Sequence, residues 1–140
     1  MFVLAILGAV LGVIGIDAAV LNGWLNALCR AVNYTAPTAF YVKLHTGDPG
    51  VGATAAFGDT TRQQATFAVA AGGSCSTSAD INWTNLSAAG TISHVSFWTA
   101  STAGTFLGSD DLATPRTVAI GDNFTIPSGQ LTVAVTPVAA

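Results

Sequence analysis

Charge is scarce in this 140-residue chain: glutamate is absent, and aspartate, lysine and arginine together make up 8% of the residues. A typical soluble domain carries charge on roughly a quarter of its residues. The formal net charge is −3, and the four cations are scattered along the sequence, so no basic patch is predicted for nucleic acid. Because 51% of the residues are hydrophobic, we expect partner proteins to cover much of the surface.

Motifs for catalysis and for metal binding are also lacking. The sequence contains no G-x-S-x-G, H-E-x-x-H, C-x-x-C or P-loop pattern. His45 stands near Lys43 and Asp48, but a histidine at the end of a strand is the favoured interpretation. Asp110 and Asp111 are adjacent, so in a strand they point to opposite faces and make a poor calcium site. We therefore expect no enzymatic activity, no catalytic residue, no cofactor and no metal.

Cysteine is limited to Cys29 and Cys75. Two cysteines do not make a disulfide framework, and their separation is not that of metal ligands. Cys29 falls in a predicted helix, whereas Cys75 falls in a Gly/Ser loop. We expect two reduced side chains rather than a disulfide.

Residues 1–33 form an apolar leader that contains only two charged side chains, Asp17 and Arg30. The leader opens with an unbroken apolar run of 16 residues, which is shorter than the roughly 20 residues of a membrane span. No lysine or arginine precedes Arg30, whereas a secretory signal begins with a basic region. Gly8 and Gly12 have the spacing that lets two helices approach closely.

Three interpretations of the leader stay open. The favoured one is a helix that docks into an oligomer or a larger assembly. The others are a segment that inserts into a membrane, and a signal or wrongly assigned start. On the favoured interpretation, the candidate interface residues of the leader are Leu4, Leu7, Gly8, Leu11 and Gly12.

The second half of the leader has the pattern of an amphipathic helix that begins at Asp17. Its carboxylate is suited to capping the helix N-terminus. The helix is expected to stop near Asn33, because Pro37 forbids much continuation. Trp24 is expected to anchor the helix on the domain that follows. The apolar stripe consists of Val20, Leu21, Trp24, Leu25, Leu28 and Val32.

The pattern changes at about Tyr34, beyond which the apolar residues alternate as in β-strands. Short strands separated by Gly, Pro, Asp and Ser turns predict a mainly β domain over residues 34–140, an antiparallel sandwich or jelly roll. The N-terminal helical segment 1–33 precedes it. The predicted strands span residues 40–45, 64–70, 80–83, 92–99, 105–112, 116–120, 123–126 and 130–136.

The aromatic residues of this domain have two interpretations. Trp83 and Trp98, with Phe97, Tyr34 and Tyr41, have ring faces suited to stacking on sugars. Each of them also falls where a sandwich needs bulk in its core. Core packing is the favoured interpretation, and Trp83 and Trp98 are the candidate stacking residues if a ligand is bound.

Five short motifs follow one another along the β region. They are residues 40–50 (FYVKLHTGDPG), 61–67 (TRQQATF), 80–83 (DINW), 92–98 (ISHVSFW), and the closing pair 104–107 (GTFL) and 121–131 (GDNFTIPSGQL). In this order they resemble small virion proteins of tailed bacteriophages of actinobacteria, which are usually labelled tail-fibre or minor tail proteins. The resemblance covers about residues 17–136 and leaves the first apolar run as an addition.

The resemblance implies a non-enzymatic structural protein of the virion, located on the tail rather than the head. Its expected partners are other copies of itself and neighbouring virion proteins. Arg62 and Arg116 are candidates for ion pairs between subunits or at sheet edges. Two other functions stay open: decoration of the capsid, and binding of host-envelope glycans by the tail. No nucleic acid is expected as a partner, and membrane contact by the leader is not favoured.

Overall fold

The computed structural model describes residues 15–135. In this range one helix, α1 (Ala18–Arg30), accompanies nine strands. The strands are β1 (Gly15–Ile16), β2 (Phe40–His45), β3 (Gln63–Ala65), β4 (Ser74–Ser76), β5 (Ile81–Trp83), β6 (Gly90–Trp98), β7 (Phe106–Val118), β8 (Phe124–Ile126) and β9 (Thr132–Ala134). The prediction of a mainly β fold behind a short N-terminal helix is confirmed.

The strands form three antiparallel sheets. The main sheet has five strands in the order β1-β7-β6-β2-β3, and two ribbons of two strands each pair β4 with β9 and β5 with β8. Side chains of the main sheet and of the β5–β8 ribbon meet in one core, to which Leu44, Val95, Trp83 and Phe124 belong. The finer jelly-roll topology stays a prediction.

Helix α1 begins where the sequence predicts. The carboxylate of Asp17 accepts a hydrogen bond from the backbone N–H of Ala19 at 2.9 Å, which satisfies a donor of the first turn. The helix ends at Arg30, before the expected stop at Asn33, because Ala31 takes the left-handed conformation with φ of 55°. The N–H of Val32 then donates to the carbonyl of Asn26.

The end of the first apolar run is extended rather than helical. Gly15 and Ile16 form β1, which pairs with Ser109 and Gly108 of β7. The N–H of Asp17 continues this contact by donating to the carbonyl of Leu107 at 2.8 Å. The segment immediately before α1, Gly15–Asp17, is therefore attached to the edge of the main sheet.

Two predicted strands merge in β7. The sequence predicts a break around Pro115, yet β7 runs through it as a 13-residue strand. The register against β6 shifts between Ile92, which pairs with Arg116, and His94, which pairs with Asp111. Pro115 lies in this irregularity, where its missing N–H costs no hydrogen bond of the ladder.

The loop expected around Cys75 contains a strand instead. β4 pairs with β9, with Cys75 opposite Val133. Cys29 is exposed and Cys75 is half-buried, and neither is bonded to another cysteine among residues 15–135. Within residues 15–135, no helix has the length and the apolar character that crossing a membrane requires.

Candidate interaction surfaces

An apolar groove lies between helix α1 and the β domain. Its walls include Ile16, Trp24, Phe40, Phe97 and Leu107, and it encloses about 490 Å³. The groove follows from the amphipathic pattern of α1, because Val20, Leu21 and Trp24 of its apolar stripe line it together with residues of β1 and β7. A groove of this size and character accommodates several apolar side chains of an extended or helical segment.

Trp24 and Tyr34 form one end of the apolar groove. Their ring centroids are 6.3 Å apart and their planes are inclined by 81°, an edge-to-face contact. Tyr34 lies in the connection between α1 and β2, so this contact joins the helix to the segment that follows it. Trp24 also lines the groove beside residues of the β domain, and its role as an anchor on that domain stays a prediction.

Among residues 15–135, Asp110 is the one carboxylate that lines the apolar groove. Burial raises the pKa of this group, because the charged form loses water there. Its Oδ1 accepts a hydrogen bond from the backbone N–H of Asp111 at 3.0 Å. Asp110 therefore places a carboxyl group in a wall whose other polar groups include the hydroxyls of Tyr34, Ser109 and Thr132.

The C-terminal part of the apolar stripe of α1 is exposed, whereas Val20, Leu21 and Trp24 of the same stripe line the groove. Leu28 is 77% exposed, and Leu25 and Val32 are 46% and 49% exposed. No residue of α1 is fully buried. We call Leu25 and Leu28, together with Val32 just beyond the end of the helix, the outer face of α1.

A second surface combines cations with aromatic rings on the main sheet. Tyr41 pairs with Trp98 and Lys43 pairs with Ser96 across β2 and β6. The guanidinium carbon of Arg62 lies 3.9 Å from the ring centroid of Trp98. We call Tyr41, Lys43, Arg62 and Trp98 the cationic face; it lies opposite the core face that Val42 and Leu44 form.

A buried polar pair, His45 and Ser96, lies beside the cationic face on the same side of the main sheet. The Nδ1 of His45 lies 2.9 Å from the carbonyl of Thr54, and its Nε2 lies 2.7 Å from the Oγ of Ser96. A carbonyl can only accept, so Nδ1 carries the proton and neutral His45 accepts from Ser96. Burial lowers the pKa of His45, which favours this neutral form. These hydrogen bonds join the end of β2 to β6 and to the loop at Thr54.

Trp98 is held in place from several sides. Its Nε1–H donates to the Oγ of Ser96 at 2.8 Å, and its ring meets Phe106 at 5.6 Å between centroids. Gly52 also approaches it so closely that a Cβ there would lie 2.5 Å from the Trp98 ring. With Arg62 over the ring as well, Trp98 serves as a rigid base of the cationic face.

Arg62 makes its contacts within the chain. Its Nη1 donates to the carbonyls of Ala100 and Ala103, at 2.9 and 2.6 Å, and so holds the turn after β6. Arg116 is exposed on β7 opposite Ile92. Neither arginine forms an ion pair among the described residues, and the expected inter-subunit pairs stay predictions.

The remaining candidates from the sequence fall in two places. Trp83 is 1% exposed, and its Nε1–H donates to the carbonyl of Thr61 at 2.9 Å. Its ring therefore lies in the core, and it presents no face to a sugar at the surface. Leu4, Leu7, Gly8, Leu11 and Gly12 lie outside the residues that the structure describes.

Residues 15–135 bring together no group of three or more His, Cys, Asp or Glu side chains with the geometry of a metal site. Asp48, which the sequence places near His45, instead accepts a hydrogen bond from the N–H of Gly50 within its own turn at 2.8 Å. The sequence reasoning missed the pairing of Arg62 with Trp98. Its only local signal was a single arginine ahead of a strand.

Asp59 joins the loop before β3 to the loop between β5 and β6. Its Oδ1 accepts from the N–H of Thr61 at 3.0 Å, and its Oδ2 accepts from the N–H of Ser87 at 2.9 Å. The hydrogen bond from Ser87 is the main cause that lowers the pKa of Asp59 to about 2, from an ordinary value of 3.8. The charged carboxylate therefore stabilises the fold.

We expect Asp59→Asn to lower the free energy of unfolding by about 1–2 kcal/mol at pH 7, because the amide cannot accept both hydrogen bonds. The native pKa lies below the unfolded one, so this stabilisation is complete above pH 3.8 and is lost as the pH falls towards about 2. Urea unfolding at pH 7 and pH 2 measures the difference. Exposed Asp111→Asn is the control, and an equal loss for both variants would contradict the role of Asp59.

The fold and its surfaces define a small β-rich module whose distinctive features are contact surfaces, an apolar groove beside a helix and a cationic face on a sheet. A family model described as Podophage GP4 fiber I protein gp80 matches residues 15–134. The chain therefore belongs to this family of phage fibre proteins. No curated protein matches the chain.

The family match agrees with part of the resemblance seen in the sequence. It supports a fibre protein of a tailed phage, and it covers the helix and nearly all of the β domain. The actinobacterial host and the minor-tail type stay predictions. The match begins at Gly15, so the first apolar residues of the leader lie outside it.

Proposed function

We propose that this protein is a non-enzymatic structural subunit of a phage tail fibre, which acts by self-association and by docking on neighbouring virion proteins. Membership of a fibre family supports the virion role. The observation that carries the self-association is the amount of apolar surface around α1. The apolar groove lies beside Gly15, and the outer face of α1 lies at the C-terminal end of the helix.

The first apolar run of the leader has the character of an occupant for the apolar groove. Residues 1–14 consist of twelve hydrophobic residues and two glycines (MFVLAILGAVLGVI) and carry no charge. They join the domain at Gly15, which itself lines the groove. Burying such a segment yields about 25 cal/mol for each Å² of apolar surface removed from water, so it favours association with a second copy.

The outer face of α1 supplies the other half of the contact. Leu25, Leu28 and Val32 are exposed at the C-terminal end of the apolar stripe whose first part, Val20, Leu21 and Trp24, lines the groove. Subunits of symmetric assemblies bury patches of this kind against one another. In the proposed assembly, residues 1–14 of one copy pack in the apolar groove of a neighbouring copy. The outer face of α1 also packs on a neighbouring copy.

The full-length chain is expected to form an oligomer, with a mass that is a multiple of 14.1 kDa. We expect Leu28→Gln, and separately Leu7→Asp with Leu11→Asp, to shift it towards the monomer, because each places polar atoms in an apolar contact. Size-exclusion chromatography with light scattering measures the mass, and circular dichroism verifies the fold.

Val69→Gln is the matched control, because Val69 is 94% exposed but lies far along the chain from α1 and the leader. This variant should keep the oligomeric mass of the unmodified chain. A full-length protein that is already monomeric, or a Leu28→Gln variant with unchanged mass, would contradict self-association through these surfaces.

The proposed position in the virion is the tail, which the name of the family supports. A second readout of the proposed function is therefore cryo-EM of virions, with density for the β domain expected along a tail fibre. Density on the capsid shell instead would support the decoration function and contradict the position proposed here.

A further inference from the structure

The cationic face gathers half of the positive charge of the chain. Lys43 and Arg62 are two of only four lysines and arginines. Lys43 lies on β2. Arg62 belongs to the segment before β3 and packs over the ring of Trp98, which places it on the same face. The other two cations, Arg30 and Arg116, lie at the end of α1 and on β7.

No carboxylate neutralises this pair of cations. Neither Lys43 nor Arg62 forms an ion pair within residues 15–135. Arg62 donates only to carbonyl oxygens, those of Ala100 and Ala103. Partial burial and, after it, the charge of Arg62 lower the pKa of Lys43. Two cations held together without an anion repel each other, so the arrangement favours a bound negative group.

An aromatic ring lies directly beside this charge. Tyr41 precedes Lys43 by two residues and points to the same side of β2, and it pairs with Trp98 on β6. Tyr41 is half-buried, so part of its surface remains accessible. An amphipathic ring next to cations suits a ligand that has an apolar face and an acidic substituent.

We propose that Tyr41, Lys43 and Arg62 bind an acidic sugar, in which a ring packs on Tyr41 and a carboxylate or phosphate lies between the two cations. The ligand class is an anionic polysaccharide with separated negative groups. A nucleic acid fits less well, because its dense charge needs more cations than this face has and the net charge of the chain is −3. This site is independent of the self-association proposed above.

The test uses the full chain and three probes: glucuronate, glucose 6-phosphate and uncharged glucose. Titrations followed by NMR at low salt should show saturable shifts of the Tyr41 and Lys43 amides with at least one acidic probe, and none with glucose. Comparing glucuronate with glucose 6-phosphate shows whether a carboxylate or a phosphate is preferred. A short single-stranded DNA is the fourth probe.

Lys43→Gln should weaken binding of the acidic probe about tenfold, the loss expected for one charge-assisted contact. Arg116→Gln makes the same change of net charge away from the face and should change binding less than twofold. Arg62 also holds a turn, so a variant without its charge could disturb the fold. Arg62→Lys is used instead, because it keeps the charge, and it should keep most of the binding. Both glutamine variants should keep the oligomeric mass of the unmodified chain.

Three results would overturn the proposal. The first is the absence of saturable shifts with either acidic probe. The second is an equal loss of binding in Lys43→Gln and Arg116→Gln, which would show attraction to the overall charge rather than a site. The third is binding of the DNA as tight as that of the acidic sugar, which would identify a different class of ligand.

Discussion

Trp83→Ala is expected to destabilise the protein by about 3–5 kcal/mol, the range for removing a buried tryptophan from a core. Trp83 is 1% exposed and packs against Phe124, with ring centroids 5.7 Å apart. It lies on β5, where its side chain joins the β5–β8 ribbon to the main sheet in one core. The truncation leaves a large cavity between these two layers.

Trp83→Phe separates the two contributions of this side chain. It keeps an aromatic ring but removes the donor, so the carbonyl of Thr61 loses its partner at 2.9 Å. A loss of about 1–3 kcal/mol is expected from the unpaired carbonyl and the smaller ring. Urea unfolding followed by far-ultraviolet circular dichroism measures both variants, since the signal does not depend on tryptophan fluorescence.

Trp24→Ala is the comparison for this prediction, because Trp24 is half-buried at the groove and lies outside the central core. Its cost should be less than half that of Trp83→Ala. If Trp83→Ala cost less than about 1 kcal/mol, the ring would not have the burial described here. The stacking interpretation of Trp83 would then regain support.

Local signals of the sequence were sufficient for the helix and for most of the strands. Asp17 caps α1 because capping depends on residues only two or three positions apart. The strand at Phe40–His45 follows from alternation, which is also local. The prediction of a mainly β fold therefore rested on patterns that tertiary contacts did not override.

Long-range pairing explains what the sequence did not show. β4 is a strand only because β9 lies beside it, and its own residues, Ser74–Ser76, have weak strand character. The sequence pattern places Gly15 and Ile16 at the end of an apolar helix, but pairing with β7 makes them extended. In both cases the partner lies far away along the chain.

The surfaces were even less accessible to sequence reasoning. Alternation assigns Trp98 to one face of β6, but it does not say that Arg62 covers that face. The apolar pattern of α1 predicts one buried stripe, whereas the exposed Leu28 shows that the β domain covers only the first part of that stripe. A surface depends on which segments meet, and composition alone does not specify this.

The position that connects fold and proposed assembly is Gly108, where β1 crosses the edge of β7. A Cβ at Gly108 would collide with the carbonyl oxygen of Gly15 and would lie 3.1 Å from the Cα of Ile16. These are backbone atoms, which cannot move aside as a flexible side chain can. Gly108→Ala is therefore expected to displace β1 and to break the hydrogen bond from Asp17 to Leu107.

We expect Gly108→Ala to cost about 2–3 kcal/mol, in the upper part of the range for overpacking. The exchange of the Asp17 amide hydrogen should accelerate by about tenfold or more, because β1 opens locally while the core stays folded. Under the proposed function the oligomeric mass also falls, since displacing β1 redirects residues 1–14 away from the groove of a neighbouring copy. Hydrogen exchange by NMR and light scattering measure these two effects.

Gly47→Ala is the matched control, since a Cβ there would lie 3.5 Å from the Cβ of Ala55, an ordinary contact. It should leave both the exchange of the Asp17 amide and the oligomeric mass unchanged. Slow exchange at Asp17 in Gly108→Ala would contradict the pairing of β1 with β7. Fast exchange with an unchanged mass would retain that pairing and reject the leader as the element that holds the assembly together.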